Sequence, residues 1–502
     1  MSEDEQRAVG TLAPVPRRPL LMGLALHAGV LGLLSARYGY HRDELYFREA
    51  GHHLDWGYVD QPPLTPLLAR ASTAVFGDSL VGLRVGATLA ATATVLVVAL
   101  IARELGGGRG PQLLAAALAA LGAQGLAVGH MVSTATFDLL VWVTVSLLVL
   151  RVLRGGDRRW WLAVGAVVGL GVQNKYLVVL LVAVLLAAIA WVGPREVLRS
   201  RWLAGGAVLA LALAAPNVVW QATHGWPQFT VARGISEDDG AENRVLLVPQ
   251  QLIYLSPLFV PVWVAGWRRL WRADEVRWAR AFAVAYPLLC VIVLVAGGKG
   301  YYTVPLLVVL LAAGCGPTLR WARAGRARVR RALLAGVLVL SAAINSVIVL
   351  PVLPPDALTV PMALDPEQGE QLGWPELADA TRQGWTRIPV RDRSRAVLFT
   401  VNYGEAGALD RYGPARGLPR PYSGHMSYAD WGPPPDAADG PVLLVRQTGD
   451  SGIEGHFSGC RTVARVDNGH DVDNEEQNGS VVLCSGPHRK WSALWPSLRH
   501  AY

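Results

Sequence analysis

Residues 40–68, YHRDELYFREAGHHLDWGYVDQPPLTPLL, lie between the first two long apolar runs of the chain. For a segment beside a hydrocarbon region, the stretch holds many ionisable side chains, namely His41, Arg42, Asp43, Glu44, His52, His53, Asp55 and Asp60. Charges this close to a bilayer must be hydrated, paired or used in function. Pro62 and Pro63 stiffen the end of the stretch, since proline fixes φ and restricts the residue before it. We therefore interpret residues 40–68 as the rim of an active site held at one face of a membrane.

The composition around this stretch is that of a membrane protein. Of the 502 residues, 52% are hydrophobic and 17% are charged, whereas soluble domains carry about 25% charged residues. Apolar runs long enough, or nearly so, to cross a core of roughly 30 Å cover residues 20–34, 80–102, 113–128, 137–153, 160–172, 177–192, 203–220, 245–263, 282–296, 304–315 and 333–353. We therefore predict a polytopic α-helical membrane protein with about eleven transmembrane helices.

Arginine-rich loops predict how the chain is oriented. Lysine and arginine outnumber the acids by 46 to 38, for a net charge of +8. The arginines concentrate in short loops after alternate apolar runs, so threading the runs places all of these loops on one side, as the positive-inside rule requires. The N-terminus is then in the cytoplasm, and residues 40–78 and the C-terminal region lie on the extracytoplasmic face of the cell membrane. This charge pattern predicts membrane lipids, and not nucleic acid, as partners.

The predicted organisation has three regions. Residues 1–19 form a cytoplasmic tail, residues 20–353 a transmembrane domain whose first outer loop covers residues 38–79, and residues 354–502 a small extracytoplasmic α/β domain. Short apolar runs in the last region predict strands at residues 396–401, 442–445, 462–466 and 481–484, and residues 404–412 predict a helix. In an oxidising compartment we expect a disulfide between Cys460 and Cys484, the alternative being two unpaired thiols in a core.

Asp43 and Glu44 are the first candidates for catalysis. Adjacent residues do not share a helical face, so at most one of the two carboxylates points into a cavity while the other pairs locally. Asp43 is the candidate general base, because partial desolvation at a membrane boundary increases the basicity of a carboxylate. A helix cap, or a salt bridge to Arg42 or Arg48, is the alternative for this pair.

Asp60 and Gln61 precede the two prolines and are candidate binding residues. Asp60 is a candidate ligand for a metal ion or for substrate, and a turn-stabilising role is its alternative. His224 lies in another outer loop and is a candidate partner for Asp60. Neither residue has metal-ligand spacing within its own segment, so a metal site has to be assembled by folding.

Lys175 and Lys299 are exceptional, because the chain has only three lysines and these two end apolar runs on the outer side. A lysine there can bind a lipid phosphate, and the glycines of residues 297–300 let backbone amides approach the same anion. Snorkelling from a helix end is the alternative. Asp138, inside the fourth apolar run, is a further functional candidate, with hydrogen bonding to Thr134 or Thr136 as its alternative.

The chain resembles the bacterial family-39 glycosyltransferases of the GT-C superfamily, which are similar to protein O-mannosyltransferases and aminoarabinose transferases. The segments that carry the resemblance are DELYF, GYVDQPPL, QNKY, PNVVWQATHGWP, GKGYY, NYGEAGALDRYG and YSGHMSYADWGPP. Together they cover the chain from Tyr40 to its C-terminal region.

This resemblance implies inverting transfer of a sugar from a polyprenyl-phosphate donor. Asp43 matches the acid that serves as catalytic base, Asp60 matches an acid before the prolines, and His224 is its expected partner around a divalent metal ion. Lys299, Tyr301 and Tyr302 fall where the lipid phosphate is expected. The chain departs from the family at Gln61, where relatives often carry a basic residue or histidine.

The primary hypothesis is therefore a membrane glycosyltransferase that acts on a lipid, polysaccharide or protein acceptor. No nucleotide cofactor is expected, because no glycine-rich motif lies on a strand–helix turn. A transporter or flippase of lipid-linked saccharides is the competing hypothesis, although the internal repeats typical of transporters are not evident in the sequence. A scaffold whose outer domain binds a partner is a third class, and it gives Asp43 and the outer lysines no role.

Overall fold

The computed structural model describes residues 12–501, so residues 1–11 of the predicted cytoplasmic tail lie outside the described part. The described chain divides into two compact units. The helical unit consists of residues 12–35, 84–224 and 232–350, and the sheet unit consists of residues 36–83, 225–231 and 351–501. The stretch around Asp43 therefore groups with the C-terminal region rather than with the apolar helices that flank it in sequence.

Helices are numbered here along the chain. They are α1 (Arg17–Leu34), α2 (Arg42–Ala50), α3 (Leu64–Phe76), α4 (Leu80–Glu104), α5 (Arg109–Leu121), α6 (Ala123–His130), α7 (Thr134–Leu153), α8 (Trp160–Val172), α9 (Leu177–Val192), α10 (Arg201–Thr223), α11 (Pro227–Gly234), α12 (Gly240–Ile253), α13 (Val260–Arg272), α14 (Ala281–Ala296), α15 (Val304–Arg323), α16 (Ala327–Val349), α17 (Thr359–Met362), α18 (Trp374–Thr386), α19 (Tyr403–Tyr412) and α20 (Trp491–Leu498).

The predicted membrane class is confirmed, and the exact number of spans stays a prediction. By length and composition, residues 12–501 contain five helices able to cross a membrane, α4, α7, α10, α15 with the turn before it, and α16. The number rises to seven if two bent helix pairs each count as one span. Three shorter apolar helices, α8, α9 and α14, coincide with further predicted runs.

Two spans that the sequence predicts as continuous are broken in the structure. Residues 113–128 are bent by 59° between α5 and α6, and residues 245–263 are bent by 68° before α13. The two breaks meet: the backbone N–H groups of Ala123 and Gln124 donate to the carbonyls of Leu255 and Tyr254 at 3.0 and 2.8 Å. Irregular backbone at membrane depth is tolerated only where such groups are satisfied inside the protein, so each break supplies the other's missing hydrogen bonds.

Glycines set the closest helix contacts of the helical unit. A Cβ at Gly165 of α8 would lie 2.0 Å from the carbonyl oxygen of Gly206 in α10. Between α13 and α15, a Cβ at Gly314 would lie 1.8 Å from the carbonyl oxygen of Val262. Small residues let membrane helices pack backbone to backbone, and here they fix two helix pairs.

The sheet unit is built on a mixed sheet. Its strands are β1 (Val397–Thr400), β2 (Pro421–Ser423), β3 (Val442–Arg446), β5 (Arg461–Arg465) and β6 (Ser480–Cys484), while β4 (Phe457–Ser458) pairs separately with β7 (Gly486–Pro487). The order is β2-β1-β3-β6-β5, with β1 parallel to β2 and β3, and β6 antiparallel to β3 and β5. The predicted α/β character of this region is thus confirmed.

The core of the sheet unit is apolar and aromatic. Phe399 of β1 and Leu444 of β3 pack with Trp491 and Trp495 of α20. On the other face a Cβ at Gly384 of α18 would lie 2.9 Å from Leu443, so the central strand β3 is buried on both faces. A disulfide joins Cys460, at the start of the edge strand β5, to Cys484 at the end of β6. This is the pair that the sequence predicts, and it ties the edge strand to its neighbour.

Candidate active site

The site in the sheet unit is built on α2, whose start is fixed by its own side chains. The His41 ring accepts the backbone N–H of Asp43 at 3.2 Å, and Glu44 Oε2 accepts the N–H of His41 at 2.9 Å. This reciprocal capping satisfies donors that a helix start leaves exposed. Glu44, predicted as a second catalytic carboxylate, is fully buried and engaged in the cap, which matches the local pairing that the sequence left open for one of the two acids.

Asp43 is held by a residue from the far end of the chain. The hydroxyl of Tyr403, the first residue of α19, donates to Asp43 Oδ1 at 2.8 Å. The two helices approach closely because α19 presents glycines: a Cβ at Gly407 would lie 2.9 Å from Cβ of Leu45. An Asn402–Glu405 capping box fixes the start of α19 in turn. The carboxylate of Asp43 is therefore positioned by two capped helices.

Asp60 lies in the same unit and is held by a second tyrosine. The hydroxyl of Tyr46 donates to Asp60 Oδ1 at 2.6 Å, and the rings of Tyr46 and Tyr403 pack 5.0 Å apart. Burial raises the pKa of Asp60 to about 7; the nearby charge of Asp43 adds to this, while the Tyr46 hydrogen bond opposes it. Asp43 and Asp60 thus each accept a hydrogen bond from a tyrosine hydroxyl, and these two tyrosines pack on each other. Of the two carboxyls, Asp60 has the pKa near neutral pH.

Gln61 follows Asp60 and is only 2% exposed. Neither Nε2 nor Oε1 of its side chain has a hydrogen-bond partner among residues 12–501. Burying an amide without partners is costly, so a group outside the described residues is the natural partner for this side chain.

Lys175, and not Lys299, contacts the predicted phosphate-binding tyrosines in the helical unit. Its Nζ donates to the hydroxyl of Tyr301 at 3.1 Å and lies 5.1 and 5.4 Å from the ring centres of Tyr301 and Tyr302. Lys299 instead lies 3.8 Å from a carboxylate oxygen of Asp239 and is 42% exposed. The tyrosines thus contact Lys175 in the structure, and the phosphate-binding role of either lysine stays a prediction.

Asp138 is buried in α7 near the same tyrosines. Its Oδ1 accepts the indole N–H of Trp142 at 3.0 Å. The sequence offered Thr134 or Thr136 as the alternative partner of Asp138. The hydroxyl of Thr136 donates to the carbonyls of Val128 and Met131 instead. Asp138, Tyr301 and Tyr302 line a cavity of about 20 Å³, which is room for about one water molecule.

His224 lies directly after α10 in the helical unit. Its ring stacks on Trp220 with centroids 4.0 Å apart, and its Nδ1 lies 2.8 Å from the carbonyl oxygen of the same residue. A histidine whose one nitrogen is held by a carbonyl has the other oriented for a ligand, as is common at metal sites.

A cluster of acids in the sheet unit lies apart from the predicted metal ligands. Among the described residues, the group of three carboxylates close enough to share one ion is Glu370, Glu475 and Glu476, and it includes neither Asp60 nor His224. Arg42 already supplies positive charge there, 2.6 Å from Glu475 and 3.8 Å from Glu370. Arg42 is thus the cation that the structure shows beside these carboxyls.

The sequence analysis did not predict the contacts of three residues, Tyr46, Tyr403 and Arg84. Tyr46 lies in DELYF and Tyr403 in NYGEAGALDRYG, yet nothing in these segments marks Tyr46 as the partner of Asp60 or Tyr403 as that of Asp43. Arg84 is fully buried in α4, where its Nη1 donates to the carbonyl of Ser35 at 2.9 Å and lies 3.2 Å from Nε2 of His130. A charge within an apolar run was the available signal for Arg84.

The resemblance predicted from the sequence is confirmed by a match to a family model and by the folds of solved structures. The family described as dolichyl-phosphate-mannose-protein mannosyltransferase matches residues 60–220. A search of curated proteins finds no match.

Among solved structures, the chain is similar to ArnT from Cupriavidus metallidurans. The complex with undecaprenyl phosphate aligns with a TM-score of 0.61 at 16% identity, over 94% of this chain and 100% of ArnT. The apo state aligns with a TM-score of 0.57 at 15% identity, over 93% and 99%. The apo oligosaccharyltransferase of Archaeoglobus fulgidus aligns at 13% identity with a TM-score of 0.48, over 79% and 64%.

Proposed function

We propose that this chain is an inverting glycosyltransferase of the cell membrane, which moves a hexose or pentose from a polyprenyl-phosphate donor to a cell-envelope acceptor on the extracytoplasmic face. The observation that carries the proposal is the Asp43 carboxylate, fixed by the Tyr403 hydroxyl on a helix with a reciprocal cap. The ArnT fold, seen in that protein with undecaprenyl phosphate bound, supports the class of donor.

Asp43 acts in this proposal as the general base. An acceptor hydroxyl or amine attacks the anomeric carbon, and its proton passes to the carboxylate of Asp43. The new bond from the acceptor to the anomeric carbon forms as the bond to the phosphate oxygen breaks, so configuration inverts and polyprenyl phosphate leaves. Tyr403 is a positioning residue, because its hydrogen bond fixes one oxygen of the base. Glu44 contributes by holding the start of the helix.

Lys175, Tyr301 and Tyr302 bind the phosphate of the donor in this proposal. Lys175 is the better phosphate ligand of the two outer lysines, because it lies against both tyrosines, whereas Lys299 has a carboxylate beside it. A lysine ammonium offsets the negative charge that develops on the leaving phosphate. Asp138 contributes to substrate binding beside the same tyrosines.

A divalent metal ion fits the donor chemistry of two further residues. Asp60 offers a carboxylate and His224 an imidazole nitrogen opposite its carbonyl-bound Nδ1. Each is a candidate ligand of such an ion, as the family resemblance implies, and a bound ion would supply positive charge for the leaving phosphate. The buried amide of Gln61 is assigned to a hydroxyl or phosphate oxygen of the substrate.

The experiment separates transfer from transport. The purified chain is reconstituted in liposomes with radiolabelled polyprenyl-phosphate sugar and cell-envelope fractions as acceptors. The proposal expects labelled product in a new glycosidic linkage and release of polyprenyl phosphate in equal amounts. Movement of intact donor across the bilayer without such product would instead identify a flippase and overturn the proposal.

A further inference from the structure

A cavity of about 360 Å³ lies in the helical unit, at the opposite end of α15 from Tyr301 and Tyr302. Those tyrosines lie just before the first residue of α15, and Arg320 and Arg323 are in its last turn. Twenty residues of α-helix span about 30 Å, so the cavity is separate from the proposed donor site. Its residues belong to loops that the sequence predicts to be cytoplasmic.

Four arginines line this cavity, namely Arg109, Arg269, Arg320 and Arg323. The guanidinium groups of two of them meet over a glycine, since a Cβ at Gly316 would lie 3.6 Å from Nη1 of both Arg269 and Arg320, and a Cβ at Gly110 would lie 3.5 Å from Nη2 of Arg323. Neighbouring guanidinium groups repel one another, and a bound anion would offset this repulsion.

The acids of the described chain do not neutralise the group. A carboxylate oxygen of Glu275 lies 3.6 Å from Nε of Arg269, and the Glu275 side chain is mostly exposed. Arg109, Arg320 and Arg323 form no ion pair with a carboxylate among residues 12–501. Arg269 is nine-tenths buried, and besides Glu275 its partners are neutral: Nη1 and Nη2 donate to the carbonyls of Ala313 and Leu105 at 3.2 and 2.7 Å.

The remaining wall is a glycine loop at a helix start. Residues 106–110 read GGGRG, and Gly108 caps α5 without a side-chain hydrogen bond. Side-chain-free backbone and the positive end of a helix both favour a phosphate group. Leu319 adds an apolar edge to the cavity.

We infer that this cavity binds a phosphate group, either in the headgroup of an anionic phospholipid or in a soluble phosphate compound. Arginine forks match phosphate oxygens in pairs, and the cavity exceeds by several times the roughly 30 Å³ of a water molecule. The inference does not depend on sugar transfer, since it concerns the other end of the helical unit.

The test compares two double variants with the same change in charge. Arg320→Gln/Arg323→Gln removes two exposed arginines of the cavity, and Arg326→Gln/Arg328→Gln removes two exposed arginines at the start of α16 as the control. Full-length protein in phosphatidylcholine nanodiscs is titrated with pyrophosphate. In a second arm, nanodiscs contain diphosphatidylglycerol, and native mass spectrometry measures the lipid retained.

The cavity variant should bind at least one of the two probes about tenfold or more weakly than the control variant. An effect on the lipid identifies a membrane headgroup as the source, and an effect on pyrophosphate alone identifies a soluble compound. Equal behaviour of the two variants toward both probes, or no binding of either probe by the unmodified chain, would overturn the inference.

Discussion

At the scale of single residues, the candidate base owes its position to a tyrosine 360 positions away in the chain. The sequence singles out Asp43 as a carboxylate beside an apolar run, yet it cannot choose between catalysis and a salt bridge. The partner that the structure gives Asp43 is Tyr403, and contacts over such a separation leave no local pattern. The capping role of Glu44, in contrast, was open to prediction, because the partner residue His41 lies three positions away.

Replacing Tyr403 with phenylalanine tests the hydrogen bond to Asp43. The aromatic ring remains to pack on Tyr46, so the fold should be kept, while the carboxylate loses its fixed orientation. Hydrogen bonds to charged groups contribute about 1.5–3 kcal/mol, so we expect kcat for sugar transfer to fall about 10- to 100-fold with the KM for donor unchanged. Steady-state kinetics with radiolabelled donor measure both quantities.

Tyr412→Phe is the matched control, since Tyr412 lies at the other end of α19. If the two variants lose activity equally, or if Tyr403→Phe changes only KM, the Tyr403 hydroxyl does not position the base.

At the scale of elements, most apolar runs predict helices within a few residues of their bounds, because hydrophobic length is a local property. Two spans predicted as continuous helices are interrupted at Gly122 and at Ser256, where the chain turns. Their breaks are stabilised by each other and by Asn345 in α16, whose Nδ2 donates to the carbonyls of Leu121 and Leu255 at 2.6 and 2.9 Å. A pairing between three distant elements could not be predicted from any one of them.

Asn345→Leu should therefore destabilise the helical unit. The substitution removes the Asn345 donor from the Leu121 carbonyl, whereas the Leu255 carbonyl keeps the N–H of Ala123. Loss of a buried partner costs about 1–3 kcal/mol, so we expect a clearly lower thermal midpoint in detergent. Ile344→Leu, on the exposed side of the same helix, is the control and should leave the midpoint unchanged. An Asn345→Leu chain as stable as the control would show that the breaks do not need this amide.

At the scale of the whole molecule, buried carboxyls make the sheet unit sensitive to pH. Burial raises the pKa of Asp60, Asp365, Asp410 and Glu476 to about 7, and that of Glu370 to about 8. In the unfolded chain these groups lose their protons near pH 4. Between pH 4 and 8 the folded unit therefore binds more protons than the unfolded chain, and its free energy of unfolding falls as pH rises.

Amide hydrogen exchange of β1, β3 and β6 at pH 5.5 and pH 8, corrected for intrinsic rates and with chelator present, measures this dependence. Protection should be greater at pH 5.5. Greater protection at pH 8 would mean that these carboxyls are stabilised as anions in the folded unit.

The account as a whole depends on Asp43 as the base of sugar transfer, and one comparison tests this most directly. Asp43→Asn keeps the shape of the side chain and removes its basicity, while Asp55→Asn makes the same change at an exposed acid of the same stretch. In liposomes with radiolabelled polyprenyl-phosphate sugar, Asp43→Asn should lower the transfer rate by about 100-fold or more with donor binding kept, and Asp55→Asn should stay close to the unmodified chain. Undiminished transfer by Asp43→Asn would contradict the account.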